Sequence, residues 1–333
     1  ILMKAIICDS WGPPSSLQLR EMPSPAPGPK QVLVRTRVAA VNFPDALMVA
    51  GKYQFKPEFP FSPGGELSGE IIQVGSEVKR LSVGDKVVGI ATYGAYAEET
   101  LVEASHVIPL PADISDIDLE LAGSFVLTYG TSLHALKDRA NAQAGETLLV
   151  LGAGGGVGLA AVEIGKLLGM RVIAAASSAE KLQAARDRGA DDTIDYTTED
   201  LRERIKALTE GRGVDVVYDP VGGDFAEPAL RSVGWRGRYL VVGFAAGEIP
   251  KIPANLLLLK GSSLVGVFWG EFVRREPALN TENMGLLFTW LRERKINPLI
   301  SKRYALSQAP QALEALLNRQ AVGKVVILPQ QVE

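Results

Sequence analysis

Residues 147–169 read TLLVLGAGGGVGLAAVEIGKLLG, and this segment constrains the fold more than any other part of the chain. An apolar run is followed by a glycine cluster and then by apolar residues at helical spacing, which predicts a strand, a tight turn and a helix. A helix N-terminus after such a turn offers free backbone N–H groups and a positive dipole end to a pyrophosphate. The segment therefore predicts a dinucleotide site. Its candidate cofactor-binding residues are Gly154, Gly155, Gly156, Val157 and Gly158.

The glycine pattern departs from GxGxxG, because Ala153 stands at its first position when Gly158 is taken as the helix-packing glycine. A lone glycine motif also occurs in loops that bind nothing. The context strengthens it here, since a second apolar run at 170–176 follows the helix at once. Together these segments predict a βαβ unit of about 30 residues.

The end of the second strand indicates which dinucleotide binds. A site for NAD places Asp or Glu about 20 residues beyond the glycines, where the carboxylate binds the ribose 2′-hydroxyl. This chain has Ser177 and Ser178 at that point and Lys181 shortly after. Two hydroxyls and an ammonium suit a 2′-phosphate, and we interpret Glu180 as an acid in the first turn of the next helix. The sequence predicts NADPH, although Lys181 is also compatible with a solvated helix lysine.

Composition excludes several classes of protein. The 333 residues are 47% hydrophobic, which is enough for two domains with real cores. A net charge of −3 leaves no basic excess for nucleic acid, and the apolar stretches are shorter than the ~20 residues of a membrane span. The single cysteine, Cys8, excludes an internal disulfide and indicates a reducing compartment, for which we expect the cytoplasm.

The pattern of apolar and turn-forming residues changes twice along the chain. Residues 1–123 contain short alternating runs between Gly and Pro turns, which predicts a β-barrel-like domain. Residues 124–270 alternate strands with helices, which predicts an α/β, doubly wound parallel sheet. Residues 271–333 contain two helical patterns and a last strand, and we assign them to the first domain.

This order of parts resembles the medium-chain dehydrogenase/reductase superfamily over essentially the whole chain. Four segments are similar to its zinc-independent quinone oxidoreductase, or zeta-crystallin-like, branch: 41–71, 153–158, 216–223 and 318–326. The resemblance implies a GroES-like β-barrel-type catalytic domain at 1–123 and 271–333. It also implies a Rossmann NADP-binding domain at 124–270, with the active cleft between the two domains.

A zinc alcohol dehydrogenase is the main alternative within this superfamily. Catalytic zinc needs three protein ligands, usually Cys, His and Cys or a carboxylate, and the chain has one Cys and two His. Where zinc enzymes carry Gly-His-Glu, this sequence has Gly64-Gly65-Glu66, and Asn42 lies near the position of their first cysteine ligand. We therefore expect no catalytic metal.

Without a metal, an acceptor that delocalises the incoming charge is favoured, which fits the NADPH-dependent quinone reduction that the resemblance implies. Two alternatives remain open. One is an NADPH-dependent enoyl or acrylyl reductase acting on α,β-unsaturated carbonyls or CoA thioesters, and the other is a non-catalytic NADPH-binding protein.

The resemblance implies two catalytic residues in the first domain. Asn42 supplies an amide that could steady the nicotinamide or the substrate oxygen, and a turn-forming role before Pro44 is its alternative. Tyr53 corresponds to a tyrosine that donates a hydrogen bond to the acceptor oxygen, with a simple wall position as its alternative. Asp45 is interpreted as a helix cap. Lys324 matches a position near the cofactor, or is an ordinary strand-edge lysine.

Further cofactor contacts are expected in the second domain. The resemblance matches Thr128 to the residue that binds the nicotinamide carboxamide and Tyr196 to a tyrosine near the 2′-phosphate and adenine. Gly243, Phe244 and Phe268 end later strands, at the edge where ligands of α/β sheets collect.

The apolar run at 255–270 predicts an interface. An exposed apolar strand edge invites aggregation unless another strand pairs with it. The resemblance implies a homodimer joined through the last Rossmann strand, at about 261–270. A simply buried final strand is the alternative.

Overall fold

The computed structural model describes residues 1–333, with the side chain of Ile117 left out of the description. Its contacts divide the chain into two compact units, Ile1–Val126 with Ile300–Glu333 and Leu127–Leu299. We refer to them as the barrel unit and the nucleotide unit. No helix in the described part of the chain is both long and apolar enough to cross a bilayer.

The elements follow one another in the order that the sequence texture predicts. The first part contains β1 Leu2–Ile7, β2 Gln18–Pro23, β3 Gln31–Ala40, α1 Phe43–Val49, β4 Glu66–Val74, β5 Lys86–Ile90, β6 Glu99–Glu103, β7 Val107–Pro109 and α2 Asp116–Ala122. The middle part contains α3 Val126–Leu133, β8 Thr147–Val150, α4 Gly156–Leu167, β9 Arg171–Ala176, α5 Ala179–Asp187, β10 Asp192–Asp195, α6 Leu201–Leu208, β11 Val214–Asp219, α7 Ala226–Arg231, β12 Val233–Val241, α8 Asn255–Lys260, β13 Ser263–Gly266, α9 Trp269–Arg275 and α10 Pro277–Arg292. The last part contains β14 Ile300–Ala305, α11 Ala309–Leu317 and β15 Lys324–Leu328.

The barrel unit is built on a sheet in the order β14-β15-β3-β4-β5-β7, with β6 also paired to β3. Buried and exposed residues alternate in the middle of β3, where Val34, Thr36 and Val38 are buried while Arg35 and Arg37 are exposed. This period of two is typical of a strand with one face exposed to solvent and the other packed against the core. The C-terminal strand β15 pairs with β3, so the end of the chain completes a sheet that its beginning started.

The nucleotide unit contains a six-stranded sheet in the order β10-β9-β8-β11-β12-β13, and its strand pairs are parallel. This is the Rossmann order, in which the direction of winding switches between β8 and β11. Strands β8, β9 and β11 are almost wholly buried, as expected for a parallel sheet covered on both faces. The predicted fold class is confirmed, and the carboxyl ends of β8 and β11 mark where ligands of such sheets bind.

The boundaries of the two units differ from the predicted domains, and the first unit ends at Val126 instead of residue 123. Residues 271–299 lie in the nucleotide unit rather than with the barrel, because α9 and α10 pack on the segment after α3. There Phe272 stacks on the ring of His134, 3.7 Å between centroids, and Asn283 Nδ2 donates to Asp138 Oδ2 at 2.9 Å.

The last strand of this sheet is also shorter than predicted. Strand β13 ends at Gly266 instead of near residue 270, because its partner β12 ends at Val241 and leaves no strand to pair with. The rest of the predicted strand belongs to α9 and to the residues that precede it.

Candidate active site

The glycine loop between β8 and α4 brings backbone into very close contact. A Cβ on Gly158 would lie 2.2 Å from the carbonyl oxygen of Gly152, and a Cβ on Gly154 would lie 2.3 Å from Cβ of Lys181. Helix α4 begins at Gly156 with Gly155 at its N-cap, where a Cβ would have room, 3.6 Å from its nearest neighbour. Residues 154–156 are all glycine, so no side chain of these three residues covers the N–H groups at the start of α4.

The residues predicted to hold a 2′-phosphate gather beside this loop. The Cα, Cβ and Cγ atoms of Lys181 lie against Gly154, so this side chain begins beside the glycine loop. Ser178 is the N-cap of α5 and accepts a hydrogen bond from the Lys181 backbone N–H at 3.3 Å, so part of its role is to start that helix. The backbone N–H of Tyr196 donates to Ala176 at 3.3 Å, which places Tyr196 beside Ser177.

The turn after β11 forms the other side of the switch point. Asp219 Oδ1 accepts from the backbone N–H groups of Val221 and Gly222, both at 2.8 Å. A Cβ on Gly152 would lie 2.8 Å from the Val221 side chain, so the two loops touch. A Cβ on Gly222 would meet the ring of Phe244 at 3.0 Å, which places Phe244 at the same edge.

Other predicted cofactor residues are more scattered. Thr128 is buried in α3, whereas Phe268 is 55% exposed just before α9. Ser132 was missed by sequence reasoning: its hydroxyl lies 2.8 Å from the Tyr218 hydroxyl and donates to the Val157 carbonyl at 3.1 Å. It ties α3 to the glycine loop, and a lone helical serine gives no sequence signal for that contact.

The barrel unit contains a buried polar cluster, defined as Asn42, Asp45, Glu66, Tyr96 and Lys324. Asn42 Nδ2 donates to Glu66 Oε1 at 3.0 Å, while Lys324 Nζ donates to Asn42 Oδ1 at 2.5 Å. Both ends of the Asn42 amide are thus held by charged partners. These side chains are at most 6% exposed, so they lie where uncompensated charge is costly.

Asp45 joins this cluster to the start of α1. Its Oδ2 accepts from the Asn42 backbone N–H at 3.0 Å and from the Tyr96 hydroxyl at 2.7 Å. Asp45 is the third residue of α1 and Asn42 is the N-cap, so Asp45 caps from inside the helix instead of preceding it as the sequence predicts. Burial raises the pKa of Asp45 to about 6, and the hydrogen bond from Tyr96, the bond from Asn42 and the charge of Lys324 oppose that rise. Burial also lowers the pKa of Lys324, against the attraction of Glu66 and Asp45.

Tyr53 lies next to this cluster and is half-buried against the core of the barrel unit. Burial raises the pKa of its phenol, and the nearby charge of Asp45 raises it further. The structure thus brings Asn42, Lys324 and Tyr53 together around Asp45. Sequence reasoning had assigned no site role to Glu66 or Tyr96, because their importance comes from contacts made far along the chain.

The buried polar cluster does not fit a catalytic zinc ion. Lys324 already places an ammonium 2.5 Å from Asn42 Oδ1, where it would repel a second cation. Gly65 has no side chain that could bind zinc, and the neutral amide of Asn42 is a poor substitute for a thiolate or imidazole ligand. Within the described residues, no group of three or more His, Cys, Asp and Glu side chains is placed to hold a metal.

The chain matches two family models and many known proteins along its length. Residues 28–112 match the alcohol dehydrogenase GroES-like domain, and residues 156–282 match the zinc-binding dehydrogenase domain. Quinone oxidoreductase-like protein 2 homolog of Nematostella vectensis is 39% identical over 97% of this chain and 88% of its own length. Quinone oxidoreductase of Pseudomonas aeruginosa is 35% identical over 98% of this chain and 100% of its own.

A solved structure shows the same architecture. Escherichia coli quinone oxidoreductase complexed with NADPH superimposes with a TM-score of 0.90, at 30% identity, over 98% of this chain and 100% of that one. The strand order, the glycine loop and the relatives agree with the resemblance found in the sequence. This chain belongs to the quinone oxidoreductase family of the medium-chain dehydrogenase/reductase superfamily.

Proposed function

We propose that this protein is an NADPH-dependent quinone oxidoreductase that transfers hydride without a catalytic metal. The observation that carries the proposal is the glycine loop at the head of α4, with the stem of Lys181 lying on Gly154. A cationic side chain that begins beside a glycine-rich helix N-terminus suits a phosphate-rich dinucleotide.

The choice of NADPH is supported at the end of β9. That strand ends at Ala176 and is followed by Ser177 and Ser178, so no carboxylate stands where one would bind the ribose of NADH and repel a 2′-phosphate. The E. coli relative was solved with NADPH bound. We propose that Tyr196 and Lys181 flank the 2′-phosphate, that Thr128 contacts the carboxamide, and that Gly243, Phe244 and Phe268 line the remaining cofactor surface.

The chemistry assigned to the barrel unit is positioning and hydrogen-bond donation. When bound, NADPH supplies a hydride, and a quinone that takes up this hydride and one proton becomes a hydroquinone. The Tyr53 phenol is protonated at neutral pH and can donate a hydrogen bond to the acceptor oxygen. Burial raises its pKa, so solvent rather than Tyr53 is the source of the proton. Lys324 and Glu66 hold the Asn42 amide in one orientation, so its remaining N–H has a fixed direction.

The proposal is tested by following NADPH oxidation with 1,4-benzoquinone, 9,10-phenanthrenequinone and crotonyl-CoA, with and without EDTA. We expect quinone turnover that EDTA leaves unchanged and that NADH supports poorly. Turnover of the thioester alone would assign an enoyl reductase, and tight NADPH binding with no acceptor consumed would assign a binding protein.

The roles within the site require variants. Tyr53→Phe should lower kcat about tenfold or more if the phenol donates a hydrogen bond to the acceptor oxygen. Tyr304→Phe, which removes a phenol hydroxyl from β14 in the same unit, is the matched control. Equal activity of the two variants would leave Tyr53 as a wall residue.

We also propose a homodimer in the cytoplasm. Strand β13 is the edge of the parallel sheet, with Leu264 38% exposed, and α8 beside it exposes Leu258 and Leu259 at 79% and 65%. Pairing of two such edges would cover apolar surface and free backbone groups together. Sedimentation velocity should give a dimer that Leu264→Lys weakens, whereas a monomeric wild type would contradict this part.

A further inference from the structure

Four aromatic side chains form an exposed group on the barrel unit, which we call the aromatic patch: Trp11, Phe55, Phe59 and Tyr93. They are 38%, 48%, 42% and 40% exposed. Single exposed apolar residues are ordinary, but several that adjoin one another mark a surface that binds something.

The rings of the aromatic patch are continuous. Phe55 stacks on Tyr93 with centroids 6.0 Å apart, and Trp11 contacts Phe59 at 4.4 Å. The buried ring of Phe61 joins the two pairs from below, 5.9 Å from Phe59 and 5.8 Å from Tyr93. The four exposed rings therefore form two pairs joined through Phe61, and together they offer an apolar area larger than one quinone ring.

The aromatic patch adjoins the candidate catalytic tyrosine on both sides in the chain. The ring of Trp11 lies against Gly51, where a Cβ would be 2.8 Å from its Cγ, and Phe55 follows Tyr53 by two residues. Tyr53 itself packs on the core cluster that contains Phe61. Gly51 and Phe55 each stand two residues from Tyr53, so the aromatic patch begins close to the candidate catalytic tyrosine.

The charges near the aromatic patch favour a small apolar occupant over a bilayer. The loop between α1 and β4 carries exposed Lys52, Lys56 and Glu58, a mixed set rather than the basic cluster that surface binding to anionic lipid uses. Continuity with Tyr53 favours the acceptor itself.

We propose that the aromatic patch binds an apolar tail of the acceptor, so that the preferred substrate is a quinone carrying a long alkyl-type substituent. This inference rests on the proposed function, since it names the substrate class of the same site. A fully buried methylene strengthens binding by a factor of up to about 4. Partial cover of a ten-carbon tail on the open aromatic patch should therefore lower KM by roughly tenfold or more.

The test uses two quinones with one head group, 2,3-dimethoxy-5-methyl-1,4-benzoquinone and its 6-decyl derivative. For the wild type we expect a KM about tenfold lower for the decyl quinone at similar kcat. The double variant Phe55→Ser, Phe59→Ser should raise the decyl KM about tenfold and shift the KM of the tail-less quinone by twofold at most. Trp235→Ser, which removes a 73% exposed ring in the nucleotide unit, is the matched control and should change neither.

The outcomes separate this inference from the function on which it rests. If the wild type reduces neither quinone, the proposed function is contradicted. Reduction of both with equal KM by the wild type would keep that function and overturn the tail site, whether or not the double variant folds. Sedimentation of the wild type with phosphatidylcholine vesicles, lost in the double variant, would instead assign the aromatic patch to a membrane surface.

Discussion

The glycine loop and the buried polar cluster serve neighbouring steps of the proposed reaction, but they are constructed in opposite ways. The loop is a contiguous stretch, 152–158. Its residue types are limited by space, since Gly158 has no room for a Cβ. The buried polar cluster joins residues as far apart in the chain as Asn42 and Lys324. Its residue types are limited by charge, since each buried charged group needs a partner. The first can be recognised from a short string of letters, while the second exists only after the chain has folded.

The two regions should therefore fail differently when they are altered. A side chain added to the loop displaces backbone locally. A charge removed from the buried polar cluster leaves its partners without compensation in a dry interior, where the free-energy cost is larger.

The largest effect is expected for Lys324→Met. Losing the ammonium leaves Asn42 Oδ1 without this donor and removes the cation that opposes the charges of Glu66 and Asp45. The free energy of unfolding should fall by about 3–5 kcal/mol, measured by urea denaturation. Lys206→Met, at an exposed position of α6, is the control, and adding Glu66→Gln should restore part of the loss. Equal stabilities of the Lys324 and Lys206 variants would refute the electrostatic account.

Gly158→Ala tests the steric side of the comparison. Its Cβ would lie 2.2 Å from the Gly152 oxygen and 2.8 Å from Ala153 Cα, both backbone atoms, so the loop must move. We expect about 1–3 kcal/mol of lost stability together with weaker NADPH binding, followed by denaturation and by fluorescence titration. Gly285→Ala in α10, where a Cβ meets nothing within 4 Å, is the control. Unchanged NADPH affinity in the Gly158 variant would separate this loop from the cofactor.

A pH titration sharpens the electrostatic side. The pKa of Asp45 is raised to about 6 from 3.8, so the folded state binds more protons than the unfolded state between these values. This contribution to stability is complete below about pH 4 and is lost as pH rises through about 6. Lowering the pH from 7.5 to 5 should therefore stabilise the wild type by about 1.4 kcal/mol relative to Asp45→Asn. A difference between the two proteins that is independent of pH would show that Asp45 does not titrate in this range.

The smallest effect is expected for Lys181→Met. Removing an ammonium beside the glycine loop should weaken NADPH binding about fivefold, or roughly 1 kcal/mol, because a partly exposed charge is screened by water. The dissociation constant for NADH in the same variant is the internal control and should change little. An equal loss for both cofactors would assign Lys181 to packing over Gly154 rather than to the 2′-phosphate.

Much of the fold could be predicted because its signals are local. The period of two along β3 and the apolar runs of β8, β9 and β11 indicate strands directly, and the alternation of strands with helices indicates a parallel sheet. The placement of 271–299 could not be predicted in this way. It depends on side-chain contacts such as Phe272 with His134, which no pattern within either segment encodes.

The candidate site divides along the same line. The sequence allows a purely structural role for Asn42, Tyr53 and Lys324. An asparagine before a helix, an aromatic residue and a lysine in a strand are all common in proteins without such a site. In the structure, Lys324 is buried and bonded to Asn42 rather than lying free at a strand edge. Ser132 and Tyr96 carried no signal, since one hydroxyl within an apolar segment looks like any other until its partner is known.

The sequence by itself determined the sheet, the glycine loop and the family, because strand periodicity, turn chemistry and helix starts depend on residues near one another in the chain. Only the tertiary structure decided which polar groups share the interior of the barrel unit, since pairing β15 with β3 brings Lys324 to Asn42. The physical reason is that burial removes water from these groups, so their charges, pKa values and orientations are set by whichever partners the fold brings within hydrogen-bond distance.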